Sequence, residues 1–194
     1  MRSVKLIANE IFVVDSGSTD KTKDIARSYG ADVVEHKFEN QAQQFNWALD
    51  NLDIKSDWIF RLDADEYLTP ELKDEIVQAL TNVDLTRINL DSQRESVHAV
   101  NGYYVKRRVY FMGRWIRHGG YYPAWFLRLF RRGIGRSEER KMDEHVVLRE
   151  GRAEKLESDF VDDNKKGLTD WINKHNSYAS REAEEIISGS RGEG

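Results

Sequence analysis

The chain has 194 residues and no cysteine, which excludes a disulfide scaffold, a thiolate metal site and a cysteine nucleophile, and leaves any metal to oxygen or imidazole. Its length suits one domain burying about 70% of the surface its unfolded form exposes, and its 2 prolines leave no proline-rich linker. Charged residues make up 33% and apolar residues 39%, no apolar run nears the roughly 20 residues of a membrane-crossing helix, and a net charge of −4 gives no reason to expect nucleic acid.

Ile11, Phe12, Val13 and Val14 form a compact apolar run ended by Asp15-Ser16-Gly17-Ser18-Thr19-Asp20, which reads as a buried strand and its loop. A helix follows, capped by Ser18 or Asp20 and stopped at Gly30, because glycine accepts the left-handed conformation of a helix end. Asp32 to Glu35 reads as a second strand, and within 41–52 the residues Phe45, Ala48, Leu49 and Leu52 recur at helical spacing. Trp58-Ile59-Phe60 is a third strand, leading through Arg61 and Leu62 into Asp63-Ala64-Asp65-Glu66. Thr69 as cap, with Pro70 at the first helical position, starts a helix predicted to run to about Leu80. This alternation predicts an α/β fold with a mostly parallel sheet and ligands beyond the carboxyl ends of its strands.

The second half alternates basic and apolar residues, as half-exposed strands do, from Tyr104 to Phe111 and from Phe126 to Phe130, with turns at Gly119-Gly120 and Gly133. Between 106 and 140 there are ten Lys or Arg against two Glu, together with eight aromatics. From Leu168 to Ile187 one helix face carries Leu168, Trp171, Ile172, His175, Ala179, Ala183 and Ile186, and His175 reads as a packed, hydrogen-bonded histidine. The last six residues read as frayed.

Three constellations carry chemistry. Asp63 and Asp65, separated by one small residue after an apolar strand, can turn toward one point and offer hard oxygens to Mg²⁺ or Mn²⁺; the competing reading is a solvated acidic turn. Asp15-Ser16-Gly17 occupies the same place after the first strand. There a glycine permits close backbone approach and an aspartate can accept hydrogen bonds from a base or ribose, unless it is an ordinary strand-to-helix turn. Met142-Asp143-Glu144-His145 offers a general base, or a surface acidic turn. The aromatics and arginines of 106–140 read as solvated surface, as a sugar and phosphate surface, or as a single-strand nucleic-acid platform.

Val13-Val14-Asp15-Ser16-Gly17-Ser18-Thr19-Asp20 followed by Arg61-Leu62-Asp63-Ala64-Asp65-Glu66 resembles the inverting glycosyltransferases of family 2, which have the GT-A fold, a Rossmann-like nucleotide-diphospho-sugar transferase sandwich. The stretch from Tyr104 to Gly119 and Trp171-Ile172-Asn173-Lys174-His175-Asn176 are similar to a bacterial subgroup that builds capsular polysaccharide and the lipopolysaccharide core. The resemblance implies metal-dependent, inverting transfer from a nucleotide-diphosphate sugar, UDP favoured, to a saccharide or lipid-linked acceptor. It implies a cytoplasmic location with peripheral contact to an anionic membrane, and no nucleic acid.

Position by position, the resemblance assigns Asp15, Ser16 and Gly17, with Asp63, to the nucleotide, and places Gln41, Gln44 and Asn46 where the family approaches it. It assigns Asp63 and Asp65 to the metal, Mg²⁺ or Mn²⁺, and Glu144, with Asp143 as rival, to the catalytic base. Trp115, Arg117, His118 and Tyr122, with Arg114, Tyr121 and Trp125 nearby, fall to the acceptor, and His175 or Asp162 with Asn164 to closing over the ligand. One domain then spans 1–194, with a nucleotide half over 1–100, an acceptor half over 101–165 and a helix and tail over 166–194. Against the family pattern, the first strand and most of the first helix are expected to be absent and the tail to stop early. Two further readings therefore stand: a catalytically impaired remnant acting as a binding module, and another metal-dependent nucleotide enzyme such as a nucleotidyltransferase.

Overall fold

A computed structural model describes residues 1–89, 99–138 and 145–189. Strand β1 (Phe12–Asp15), helix α1 (Thr22–Ser28) and strand β2 (Asp32–Glu35) form a parallel pair with its crossover, Phe12 opposite Asp32 and Asp15 opposite Glu35. Gly30 sits at φ +82° as the helix stop demands. The helix itself has no side-chain cap on Lys21; Asp20 Oδ1 accepts from Thr22 instead, at 2.9 Å, and Ser18 is committed elsewhere. Helix α2 (Gln41–Asn51) starts on Asn40, whose Oδ1 accepts the Gln43 amide at 2.8 Å.

The main sheet has the order β3 (Trp58–Phe60), β7 (Ala124–Arg131), β5 (Val100–Phe111), β10 (Arg152–Asp163), β4 (Glu66–Leu68), and β6 (Arg114–Trp115) adds to β5. β8 (Gly135–Ser137) pairs with β9 (Val146–Leu148). The α/β class stands, but the expected mostly parallel sheet is mixed. Only β5–β10 runs parallel in it, while β3–β7, β7–β5 and β10–β4 are antiparallel. The reason lies in the connections. β5 doubles back through β6 into β7 without a helical crossover, and a return that short can only be antiparallel.

Helix α3 (Pro70–Asn89) opens as expected, with the Leu72 amide donating to Thr69 Oγ1 at 3.2 Å. It runs well past Leu80 because no glycine or proline interrupts it there. The Thr69 hydroxyl donates in turn to the Asp159 carbonyl at 2.9 Å and ties the start of α3 to β10.

Each face of the sheet carries a core. Leu72 and Ile76 of α3 pack with Leu68, Tyr103, Val105, Leu129, Leu156 and Phe160, joined by Trp58 and Phe60. On the other face Phe45 and Leu49 of α2 pack with Leu127, Phe130, Val146 and Ile59. Ile59 faces away from its two neighbours because side chains alternate along a strand. At the near ends of β1 and β3 the Glu10 carboxylate bridges the two strands, accepting from the amides of Lys55 (3.0 Å) and Ser56 (2.7 Å) and from the Ser56 hydroxyl (2.6 Å). Helix α4 (Leu168–Gly189) follows β10. Among the described residues no helix is long and apolar enough to cross a membrane.

Candidate active site

The loop after β1 is organised by its own aspartate. Asp15 is buried, and its Oδ2 accepts the amides of Gly17 (2.9 Å) and Ser18 (2.8 Å). The Ser18 hydroxyl and amide, followed by the Gly17 amide, hold the Asp15 carboxyl below the usual range. Gly17 stands at φ +96°, which a side chain would strain. Outside the loop, Gln44 Nε2 donates to Ser16 Oγ at 3.1 Å, and Gln44 Oε1 lies 2.7 Å from His36 Nδ1. The His36 ring stacks on Trp47 with centroids 4.0 Å apart, and its amide donates to the Asp15 carbonyl.

Gln44, on α2, therefore reaches the loop through Ser16. Gln41 is exposed at the first position of α2, whereas Asn46 is buried and exchanges two hydrogen bonds with the Ser137 backbone. A cavity of about 310 Å³ runs along α2 past His36, Gln44, Trp47, Asp50 and Arg136.

Beyond β3 the chain turns through Asp63-Ala64-Asp65 into β4. Glu66 turns back so that its Oε2 accepts the Asp63 amide at 2.8 Å, while its Oε1 accepts from Arg128 Nη2 at 2.7 Å. Burial pushes the Glu66 carboxyl up to about 7 against the pull of Arg128. Asp63 lies 3.8 Å from Arg61 and 3.7 Å from Arg128. The Asp65 carbonyl accepts the Asp163 amide at 3.0 Å, whereas its side chain is exposed and makes no ion pair among the described residues.

Asp162, on β10, lies 3.9 Å from Arg107. Burial first and the Asp65 carboxylate next push the Asp162 carboxyl up. The acidic turn and the Asp15 loop are joined through α2: Gln44 holds Ser16, and the neighbouring Phe45 ring lies 4.9 Å from the Arg61 guanidinium.

The aromatic residues expected to meet an acceptor form a second cluster. Trp115 meets Tyr122 edge-on at 5.1 Å and has the guanidiniums of Arg108 and Arg117 at 4.4 and 4.1 Å from its centroid. Tyr122 and Arg108 both donate to the buried Asp159 carboxylate, Arg108 through Nε at 3.0 Å and Nη2 at 2.6 Å. Trp125 lies between Lys106 and Lys155, and Arg114, His118 and Tyr121 are exposed.

This cluster and the acidic turn do not share a face. Arg107 reaches Asp162 and its neighbour Arg108 reaches Asp159, so the two groups stand on opposite sides of β5 and β10. On the Arg107 side the Phe126 ring lies 4.6 Å from that guanidinium and 6.4 Å from the His145 ring. Asp143 and Glu144 lie outside the described residues. His175 is half-buried on α4, stacked on Trp171 at 3.7 Å with Nδ1 against the Trp171 carbonyl, rather than packed in a core. Asn164 Oδ1 accepts the Lys166 amide at 2.9 Å in the turn before α4.

Sequence reasoning passed over Glu66, Arg128, Arg107 and the His36–Trp47 stack. Arg128 carried a readable signal, a single charge inside the apolar run Phe126-Leu127-Arg128-Leu129-Phe130, since a charge there must find a buried partner.

The donor set of the acidic turn suits a hard divalent cation. Asp63 and Asp65 supply carboxylate oxygens, and among the described residues no cluster of three or more acids or histidines could hold an ion by itself. A site of two carboxylates would leave the rest of an ion's shell to water and substrate phosphates, as Mg²⁺ commonly takes them.

Comparison with known proteins gives the family. The family model for glycosyl transferase family 2 matches residues 2–136, and the chain belongs to that family and has its GT-A fold. An uncharacterized glycosyltransferase of Rickettsia bellii is 50% identical over 76 residues, 39% of this chain and 25% of that protein. The glycosyltransferase SunS of Bacillus phage SPbeta is 39% identical over 80 residues, 40% of this chain and 19% of that protein. The lipopolysaccharide core biosynthesis glycosyltransferase LpsC of Rhizobium meliloti is 28% identical over an alignment covering 94% of this chain and 64% of LpsC. The matched part spans about a quarter of the Rickettsia relative and less than two thirds of LpsC.

Proposed function

We propose that this domain transfers a sugar, with inversion, from a nucleotide-diphosphate sugar, UDP favoured, to a saccharide or lipid-linked acceptor of the bacterial cell surface. Peripheral contact with an anionic membrane is part of this reading. One observation carries it: the exposed Asp65 carboxylate, without an ion pair among the described residues and in a turn held by Glu66 and Arg128, is linked through α2 to the loop that Asp15 organises. The kinship with LpsC supports the lipopolysaccharide direction.

In this reading Asp63 and Asp65 would hold a divalent cation, Mg²⁺ or Mn²⁺, whose positive charge would offset that of a departing diphosphate. Asp15, Ser16 and Gly17 receive the nucleoside, with Gln44 fixing Ser16. Inversion requires the acceptor hydroxyl to attack opposite the leaving group and lose its proton to a base. That base is Glu144, with Asp143 as the alternative; supporting this, His145 follows them beside Phe126 on the face of Arg107 and Asp162. The acceptor is taken to lie on that face, with Arg107 countering negative charge beside Asp162.

Calorimetric titration with UDP-sugars, with and without Mn²⁺, tests the reading. Binding that needs the metal and is followed by transfer or hydrolysis supports it. No binding in either condition overturns it in favour of a remnant, and nucleotidyl transfer in place of sugar transfer overturns it in favour of a nucleotidyltransferase.

A further inference from the structure

The hairpin joining β5 to β6 turns in two residues, Met112 at φ +50° and Gly113 at φ +77°, with Phe111 opposite Arg114. A turn with both central residues left-handed favours Asn, Asp or Gly at its first position, and a large unbranched side chain there is strained. The chain nevertheless puts a methionine at the tip, 72% exposed. A second, separate observation lies beside it. Asp163 pairs with Tyr110, so the chain leaves β10 next to this tip and enters α4, whose Trp171 ring lies 5.6 Å from Phe111. Leu168, Trp171 and Ile172, spaced so as to share one helix face, are all exposed. Apolar side chains are thus displayed from two elements onto one surface.

The charge around that surface is mainly basic. Residues 110–116 and 163–175 hold Arg114, Lys165, Lys166 and Lys174 against two carboxylates, Asp163 and Asp170. Lys165 pairs with Asp163, whereas Arg114 and Lys166 have no ion pair among the described residues. Exposed apolar and tryptophan side chains beside unneutralised cations suit the boundary between headgroups and acyl chains of an anionic leaflet. A second copy is a poor occupant, because a twofold contact would set Arg114 and Lys166 against their own counterparts.

We propose that the Met112 tip and the first half of α4 form one face that seats on an anionic lipid bilayer, without spanning it. The inference rests on the membrane part of the proposed function and gives it a location. Phe111, Arg114 and Trp171 lie on the Arg107 side of the sheet, so a seated face brings the acidic turn close to acceptors carried on lipid.

Flotation of the full chain with phosphatidylcholine vesicles, with and without phosphatidylglycerol, needs neither nucleotide nor metal, so its failure is separate from failure of sugar transfer. The expected result is flotation with the anionic vesicles alone, weakened by added salt. Met112→Asn, which suits the turn, should keep the melting temperature and lower partitioning at least about three-fold through lost apolar burial. Arg114→Ala and Lys166→Ala should each lower it about five-fold. Equal flotation with neutral vesicles, no flotation, or variants that float like the parent chain would overturn the proposal. So would a dimer in light scattering that Met112→Asn dissociates, since a second copy would then cover the face.

Discussion

Arg128 of β7 and Glu66 of β4 meet side chain to side chain at 2.7 Å with both nearly closed off from water, and the other oxygen of Glu66 holds the Asp63 amide. The pair joins two non-adjacent strands of the sheet and braces the acidic turn from beneath. Removing one member leaves a buried charge without its partner, so Arg128→Met should cost about 3–5 kcal/mol in urea unfolding. The double variant Arg128→Met with Glu66→Gln should recover part of that loss; equal losses in single and double variants would show that the two are not coupled.

Asp65 is the exposed carboxylate of the same turn and carries little of its stability. Asp65→Ala should leave the melting temperature within about 2 °C of the parent, the effect of a surface change of under ~0.5 kcal/mol. Metal-dependent transfer should fall on the order of 10²–10³-fold, as when a preorganised charge on a leaving group is lost. Full activity in this variant, followed by product formation, would remove Asp65 from the metal.

Glu10 gives a dependence on pH. Its carboxylate accepts from Ser56 and Lys55, and these bonds, the Ser56 hydroxyl first, lower its pKa from 4.5 in the folded chain. A lowered folded pKa contributes stability that is present above the unfolded value and lost as pH falls through the folded one. The melting temperature of Glu10→Gln should therefore lie below that of the parent at neutral pH, and the gap should close as the solution is acidified below about pH 4. A gap that persists unchanged in acid would mean that the charge of Glu10 does not matter.

Gly151 precedes β10 at φ +76°, and a Cβ there would lie 2.2 Å from Asn101 Nδ2 and 2.8 Å from the Ala99 carbonyl. Backbone cannot swing aside as a side-chain end can. Gly151→Ala should cost about 1–3 kcal/mol through strain alone, before any loss of the Asn101 bond to the Glu150 carbonyl. Gly17→Ala, which meets open space at a similar φ, separates the backbone contribution from the clash when both are measured by denaturant unfolding.

The first half of the fold was legible because its signals are local. Apolar runs of four residues, Gly30 as a stop, and Thr69 with Pro70 as a start are decided within a few residues of chain. β10 was missed although it lies second from the edge of the main sheet. Its first half is mostly exposed and charged, and register shifts near Arg152 and between Lys155 and Asp159 break the alternation that a strand reader counts. Without β10 and β4, neither the parallel β5–β10 pair nor the antiparallel β10–β4 pair could be anticipated. The two halves of the motif pattern were legible for the same local reason, whereas Arg128 and Glu66 are far apart in the chain and only the sheet brings them together.

The sequence alone determined the family, the α/β class, and the two acidic loops, because each depends on residue types at short spacing. Tertiary structure alone decided which side chains share a face. Arg107 and Arg108 are neighbours in the chain, yet the pleat sends one to Asp162 beside the acidic turn and the other to Asp159 beneath Trp115 and Tyr122. Reading 106–140 as one basic, aromatic surface treated them as a single group. A strand divides such a segment between two sides of a sheet, and the sides differ in what they can meet.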